Sequence, residues 1–209
     1  MRLYLASYAK DTIKTIIQHD GINPNGKTAV FIPTAGDPYD DKVFVEADRK
    51  ALADVGFKVV DLDLKQAGKN SNYKSILLDA DAILIAGGNT FYLMDWLIKT
   101  GFDKLLRKYI IDGGLYIGSS ASSIICCPTI KGAVEFDDPK LAPDLKKYTG
   151  LDVFPNIVLP HAHREQYFDR INRATEKLKQ AGFKVIHLTD NDVLFYDGKN
   201  TEILANQQP

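Results

Sequence analysis

The chain alternates short apolar runs with amphipathic stretches. Residues 3–7, 29–33, 58–64 and 82–86 are rich in Val, Ile, Leu and Phe or flanked by them, as expected of strands covered on both faces. The segments between them, such as 41–55, carry apolar residues at helical spacing. That alternation predicts a mostly parallel sheet wrapped by helices, a three-layer α/β/α sandwich. Two helices over 91–100 and 102–112 lead to Gly113-Gly114, and a fifth strand over 115–117 runs straight into Gly118-Ser119-Ser120-Ala121-Ser122.

After residue 128 the pattern changes. A Pro- and Asp-rich stretch over 128–150 precedes a strand at 156–159, a long helix over 164–181, a strand at 185–188 and a hairpin around Asp197-Gly198. No repeat, low-complexity run or linker interrupts the chain, so one domain over 1–209 is expected.

Composition narrows the function classes. Hydrophobic residues make up 45% and charged residues 25% of 209, the balance of an ordinary globular chain. A net charge of −1 and a pI near 6.4 supply no basic field for nucleic acid or an anionic bilayer. The N-terminal residues lack the apolar core of a signal peptide, and no apolar run has the length of a membrane span, so a cytoplasmic protein is expected. Cys126 and Cys127 are adjacent. They offer neither a disulfide framework nor zinc-ligand spacing, and read as small buried hydrophobes.

The candidate chemistry sits at strand ends. A serine hydroxyl becomes a useful nucleophile on an exposed turn, beside a base, with donors placed for the oxyanion. Residues 116–122 read as strand, sharp turn and helix start, similar to the elbow Gly-x-Ser-x-Gly but with Ser122 in place of the last glycine. Ser120 is the candidate nucleophile, and the Ala121 amide is a candidate oxyanion donor. Gly87-Gly88-Asn89-Thr90 closes the fourth strand and opens a helix, so the Gly88 amide is the second donor candidate.

His161 follows the apolar run 157–160 and is the candidate base. His163, two residues on, could form a metal pair with it, but His19 and His187 have no matching spacing, and no metal or other cofactor is expected. A carboxylate between serine and histidine would orient the imidazole. Glu135, Asp137 and Asp138 all lie there, and spacing alone does not choose among them.

Together, Gly87-Gly88-Asn89-Thr90-Phe91, the turn at Ser120 followed by Cys127-Pro128-Thr129-Ile130, and Phe154-Pro155 leading to Pro160-His161 resemble the serine peptidase family of peptidase E, an aspartyl dipeptidase, and the cyanophycinases. The resemblance implies a fold like that of class I glutamine amidotransferases, also described as flavodoxin-like, and a Ser-His-acid triad. It places the nucleophile on Ser120, the histidine on His161 and the acid on Glu135, 15 residues after the serine. Where peptidase E has an arginine that recognises the substrate's aspartate, this chain has Tyr167. Strict aspartate specificity is therefore not expected, unless Arg164 or Arg170 substitutes.

The expected activity is hydrolysis of short peptides by a monomer or homodimer, with Asn89, His163, Tyr167 and Arg170 as candidate substrate contacts. Two rival readings stand beside it. One is an esterase or amidase on a non-peptide substrate; the other is a catalytically silent small-molecule binding protein on the same sheet.

Overall fold

The computed structural model describes residues 1–67 and 72–205. Its elements run β1 (Arg2–Ala6), α1 (Ala9–Asp20), β2 (Thr28–Ile32), α2 (Val43–Asp54), β3 (Lys58–Asp61), α3 (Leu64–Ala67), α4 (Asn72–Leu78) and β4 (Ala82–Ile85). The second part has α5 (Thr90–Thr100), α6 (Phe102–Ile111), β5 (Leu115–Ser119), α7 (Ala121–Ile124), β6 (Ile157–Leu159), α8 (Phe168–Gln180), β7 (Val185–His187), β8 (Asp192–Tyr196) and β9 (Thr201–Ala205).

Seven strands form one sheet in the order β3-β2-β4-β5-β1-β8-β9. The first five are mutually parallel, as the buried apolar runs led one to expect. The sheet then closes with an antiparallel hairpin, β8 on β1 and β9 on β8, turned at Asp197-Gly198. Strands β6 and β7 do not join it. They pair in parallel with each other as a separate two-stranded ribbon.

Side chains alternate across the sheet. Leu3 and Leu5 of β1 enter one apolar cluster, with Phe91 and Leu97 of α5, Leu106 of α6 and Leu178 of α8. Tyr4 and Ala6 enter the other, with Ile13 and Ile16 of α1 and Leu52 of α2. Helices thus cover both faces, and the mixed α/β architecture with a mostly parallel central sheet is observed.

The long helix expected over 164–181 begins later. Glu165–Tyr167 forms a 3-10 turn, and α8 proper starts at Phe168. Helix α5 starts where expected because the Asn89 side chain accepts the Tyr92 N–H at 2.9 Å, an N-cap. It ends at Gly101, whose φ of 73° is left-handed, the conformation glycine adopts at no steric cost.

This topology gathers five strand ends on one side of the molecule. Ser7 follows β1, Gly87 follows β4 after Ala86, Ser120 follows β5, and His161 and Asp190 lie just beyond β6 and β7. In open parallel sheets the carboxyl ends of the strands are where ligands bind.

Candidate active site

Ser120 links β5 to α7 with φ 52° and ψ −108°, a region that costs a non-glycine residue about 1–3 kcal/mol. The surroundings hold it there. The Ser120 N–H donates to the Ala6 carbonyl at 3.0 Å, and its own carbonyl accepts from Ser123 N at 2.9 Å. A Cβ at Gly118 would lie 2.9 Å from the Ser122 carbonyl oxygen and the Ser123 amide nitrogen, so the close return of chain onto strand requires glycine at that position.

Ser122, where the resemblance leads one to expect glycine, has a use of its own. Its buried hydroxyl donates to the Ile85 carbonyl at 2.5 Å and accepts the Ser119 N–H at 2.6 Å. It thereby ties the end of β4 to the turn that carries Ser120.

Ser120 Oγ is 2.9 Å from His161 Nε2. His161 also has a left-handed φ, 62°, and its N–H donates to Ser7 Oγ at 2.8 Å. Its other ring nitrogen, Nδ1, lies 2.5 Å from Asp190 Oδ1. The Ser7 hydroxyl donates to that same oxygen at 2.8 Å. Arg164 takes the second carboxylate oxygen, with Nε at 2.7 Å and Nη2 at 2.6 Å. Burial alone would push the Asp190 carboxyl up. The hydrogen bonds from His161, Ser7 and Arg164 outweigh it and hold the group well below the usual carboxylate range.

This arrangement corrects the expectation for Glu135. Its carboxylate accepts from Arg173 Nε at 2.9 Å and Lys177 Nζ at 2.6 Å, and these bonds to α8 lower its pKa. It lines a separate recess with Thr129, Lys177 and Leu178 rather than the cavity at Ser120. The short turn Lys131–Glu135 docks on α8, which carries the side chain away from the imidazole. Neither of the other two acids in that stretch is bonded to the imidazole. Asp137 Oδ2 accepts the Thr90 N–H at 2.8 Å, and Asp138 caps the turn Pro139–Leu141 through Lys140 N.

Gly87 and Gly88 come close to the serine from the neighbouring strand end. A Cβ on Gly87 would sit 3.2 Å from Ser120 Cβ, and one on Gly88, at φ 140°, would lie 2.1 Å from the Ala35 carbonyl oxygen. Among the described residues no hydrogen bond takes up the Gly88 or the Ala121 amide.

The other candidate contacts divide. Tyr167 lines the cavity beside Ser120 and His161, its ring centroid 5.9 Å from that of His161. Asn89 does not line it. It is fully buried, and its amide is committed to Tyr92 N and to the Asp138 carbonyl at 3.1 Å. His163 turns toward Asp190, with Nε2 3.8 Å from Oδ2. Arg170 is exposed and lies over the Tyr167 ring, 6.0 Å from its centroid. Cys126 and Cys127 are free and fully buried. Burial pushes the Cys127 thiol up to about 12, which removes it as a nucleophile.

Ser7 and Asp190 were not anticipated. The available signal was positional, because Asp190 stands just past an apolar run at the same carboxyl-terminal edge as Ser120 and His161. Asp190 lies beyond His161 in the chain, outside the interval between serine and histidine where the acid is expected.

No cluster of His, Cys, Asp and Glu among the described residues could hold a metal ion. No described helix is long and apolar enough to cross a membrane.

The chain is similar in sequence and fold to known peptidases. An uncharacterised peptidase of Listeria innocua is 38% identical over 159 residues, covering 76% of this chain and 75% of its own. An uncharacterised peptidase of Listeria monocytogenes is 34% identical over 200 residues, covering 94% and 95%. A solved Listeria monocytogenes structure, described as a candidate peptidase E protein, superposes with a TM-score of 0.88 at 30% identity over 97% of this chain and 96% of its own. The sequence profile of peptidase family S51 matches residues 5–204. The chain is a member of peptidase family S51 and a peptidase.

Proposed function

We propose that this protein is a serine peptidase of short peptides in which Ser120, His161 and Asp190 act in series. The observation that carries the reading is the unbroken path from Ser120 Oγ to His161 Nε2 and from His161 Nδ1 to Asp190 Oδ1. Asp190 is a permanent acceptor, so Nδ1 carries the imidazole proton and Nε2 keeps a free lone pair toward the serine.

In the reaction, Ser120 Oγ attacks the scissile carbonyl and passes its proton to His161 Nε2. The charge that builds on the carbonyl oxygen is met by the Gly88 and Ala121 amides, which lie at two adjoining strand ends and make no hydrogen bond among the described residues. His161 then returns the proton to the departing amine, leaving an acyl-enzyme on Ser120. A water molecule, deprotonated by the same imidazole, releases the acid. Ser7 holds the histidine main chain and Asp190 at once, and Arg164 fixes the far oxygen of that carboxylate. Both are positioning residues.

Short peptides fit the enclosure. The cavity in front of Ser120 holds about 300 Å3 and is walled by Tyr39, Phe136 and Tyr167, which leaves room for one or two residues rather than a long chain. The test is hydrolysis of Asp-Leu and Ala-Leu by the wild type and by Ser120→Ala. Turnover of at least one dipeptide that falls about 1000-fold or more in the variant supports the reading. Equal turnover by the two proteins would remove Ser120 from the chemistry.

A further inference from the structure

We propose that the cavity at Ser120 selects an aromatic side chain on the residue whose carbonyl is attacked, with Phe136 and Tyr167 as the specificity-determining pair. The inference rests on the acyl-transfer reading of Ser120 and names the class of residue presented to it.

Four aromatic residues line the cavity, Tyr39, Phe44, Phe136 and Tyr167, with Ile124 and Pro160 beside them. Their rings stand in two nearly perpendicular pairs. Tyr39 and Phe44 have centroids 6.0 Å apart and planes at 80°, and Phe136 and Tyr167 have centroids 6.0 Å apart and planes at 77°. The second pair is next to the chemistry, since the Tyr167 centroid is 5.9 Å from that of His161. A substrate ring in this space repeats the edge-to-face or offset contacts that the walls make with each other, and such pairs are worth more than the area they bury. An aliphatic side chain buries area without that added attraction. An acidic side chain finds no cation to pair with. Among the described residues of the lining His161 alone is basic, and Asp137 stands there as a like charge.

The segments that wall the cavity also leave apolar groups in solvent. Tyr39, Val43 and Phe168 are among the exposed large hydrophobic residues, Val43 at 72%. Tyr39 lines the cavity itself, Val43 precedes Phe44, and Phe168 follows Tyr167. Apolar groups gathered around a site mark a surface that a ligand covers. Charge sets the direction of the substrate. A second recess shares Gly88, Ser120 and His161 with this cavity, but it is smaller, about 210 Å3, and Arg164 lines it. Asp48 of that recess is fully buried, whereas the Arg164 side chain is 35% exposed. In a dipeptide the second residue carries the free carboxylate, which the guanidinium attracts and Asp137 repels. The first residue therefore takes the aromatic cavity, and the departing residue takes the recess with Arg164.

The experiment compares kcat/KM for Phe-Ala, its isomer Ala-Phe, Ala-Ala, Asp-Ala and Lys-Ala on the wild type. Phe-Ala is expected to exceed Ala-Ala by about 30-fold or more, while Ala-Phe stays within about 3-fold of Ala-Ala. Phe136→Leu and Tyr167→Leu keep an apolar wall but remove a ring, and each should lower the ratio of Phe-Ala to Ala-Ala by about 5-fold or more. Labelling of Ser120 by a fluorophosphonate shows that the site of each variant is intact. Lys-Ala separates ring packing from attraction to Asp137. Turnover of Lys-Ala or Asp-Ala equal to that of Phe-Ala, or an equal gain for Ala-Phe, would overturn the assignment. Binding is measured apart from chemistry by calorimetry on Ser120→Ala protein, where Phe-Ala should bind about 30-fold tighter than Ala-Ala. If that preference holds but Ser120→Ala hydrolyses Phe-Ala as fast as the wild type, the aromatic site stands and the acyl-transfer reading fails. If Ser120→Ala is inactive and the wild type treats Phe-Ala and Ala-Ala alike, the reverse is true.

Discussion

Asp190 Oδ1 approaches His161 Nδ1 to 2.5 Å across 29 residues of sequence, and the same oxygen accepts the Ser7 hydroxyl. Three chain segments meet at that atom: the end of β1, the residue after β6 and Pro160, and the loop after β7. The carboxylate is thus fixed by the framework of the sheet as well as by its partner. Asp190→Asn should keep the fold but present an N–H where the imidazole needs an acceptor. Loss of the correct tautomer is expected to lower kcat by about 1000- to 10,000-fold. Glu135→Gln, which breaks only a solvent-facing pair with Arg173 and Lys177, should leave kcat within about 2-fold and cost at most about 1 kcal/mol. Steady-state rates of the two variants on one dipeptide check both statements. A larger loss from Glu135→Gln than from Asp190→Asn would reverse the assignment.

Ser122 hydroxyl pairs two buried backbone groups, the Ile85 carbonyl and the Ser119 amide. Restoring glycine there leaves both unsatisfied, and Ser122→Gly is expected to lower stability by about 1–3 kcal/mol in urea unfolding. Ser122→Ala should cost a similar amount, because the hydroxyl and not the Cβ is what the site uses. A gain in stability with either variant would contradict the bridging role.

Asp48 is fully buried behind the turn at Ser120, where it accepts the Lys10 N–H at 2.9 Å and its other oxygen has no partner. Burial raises its pKa to about 7, against the lowering effect of the Lys10 amide bond. The folded state therefore binds this proton more tightly than the unfolded chain, whose carboxyl titrates near 3.9. The stabilisation is fully present below that lower value and is lost as pH rises toward 7. Thermal unfolding at pH 5 and pH 8 should show Asp48→Asn gaining on the wild type at the higher pH. Parallel shifts of the two proteins would mean that Asp48 is ionised throughout.

Tyr167 occupies the wall of the cavity where peptidase E is expected to carry its aspartate-recognising arginine. Tyr167→Arg would place a guanidinium in the cavity wall and provide a bidentate partner for an acidic side chain. The ratio of kcat/KM for Asp-Leu over Ala-Leu should rise by about 10-fold or more, and an unchanged ratio would exclude this wall from side-chain selection.

The parts of the fold that were legible in the sequence are those with a local signal. The buried apolar runs of β1, β2 and β4 stand out against their polar surroundings, and Asn89 with Gly101 marks both ends of α5. Ser120 and His161 are legible because each sits at a break in an apolar run. Asp190 is not legible as the partner of His161 because their contact is tertiary. Nothing local separates Asp190 from Asp192, which accepts from the Thr189 amide and hydroxyl and serves the turn into β8. Likewise, the departure of β6 and β7 from the main sheet depends on which edge receives the β8–β9 hairpin, and strand composition does not encode it. Asn89 misled in the other direction, since a residue beside the glycines can face the ligand or cap the helix, and only packing decides.

The central claim, an activated Ser120, is tested most directly by intact mass after treatment with a fluorophosphonate, on the wild type and on Ser120→Ala in parallel. One adduct per chain is expected on the wild type and none on the variant. An unmodified wild type, or an adduct that persists on Ser120→Ala, would contradict it.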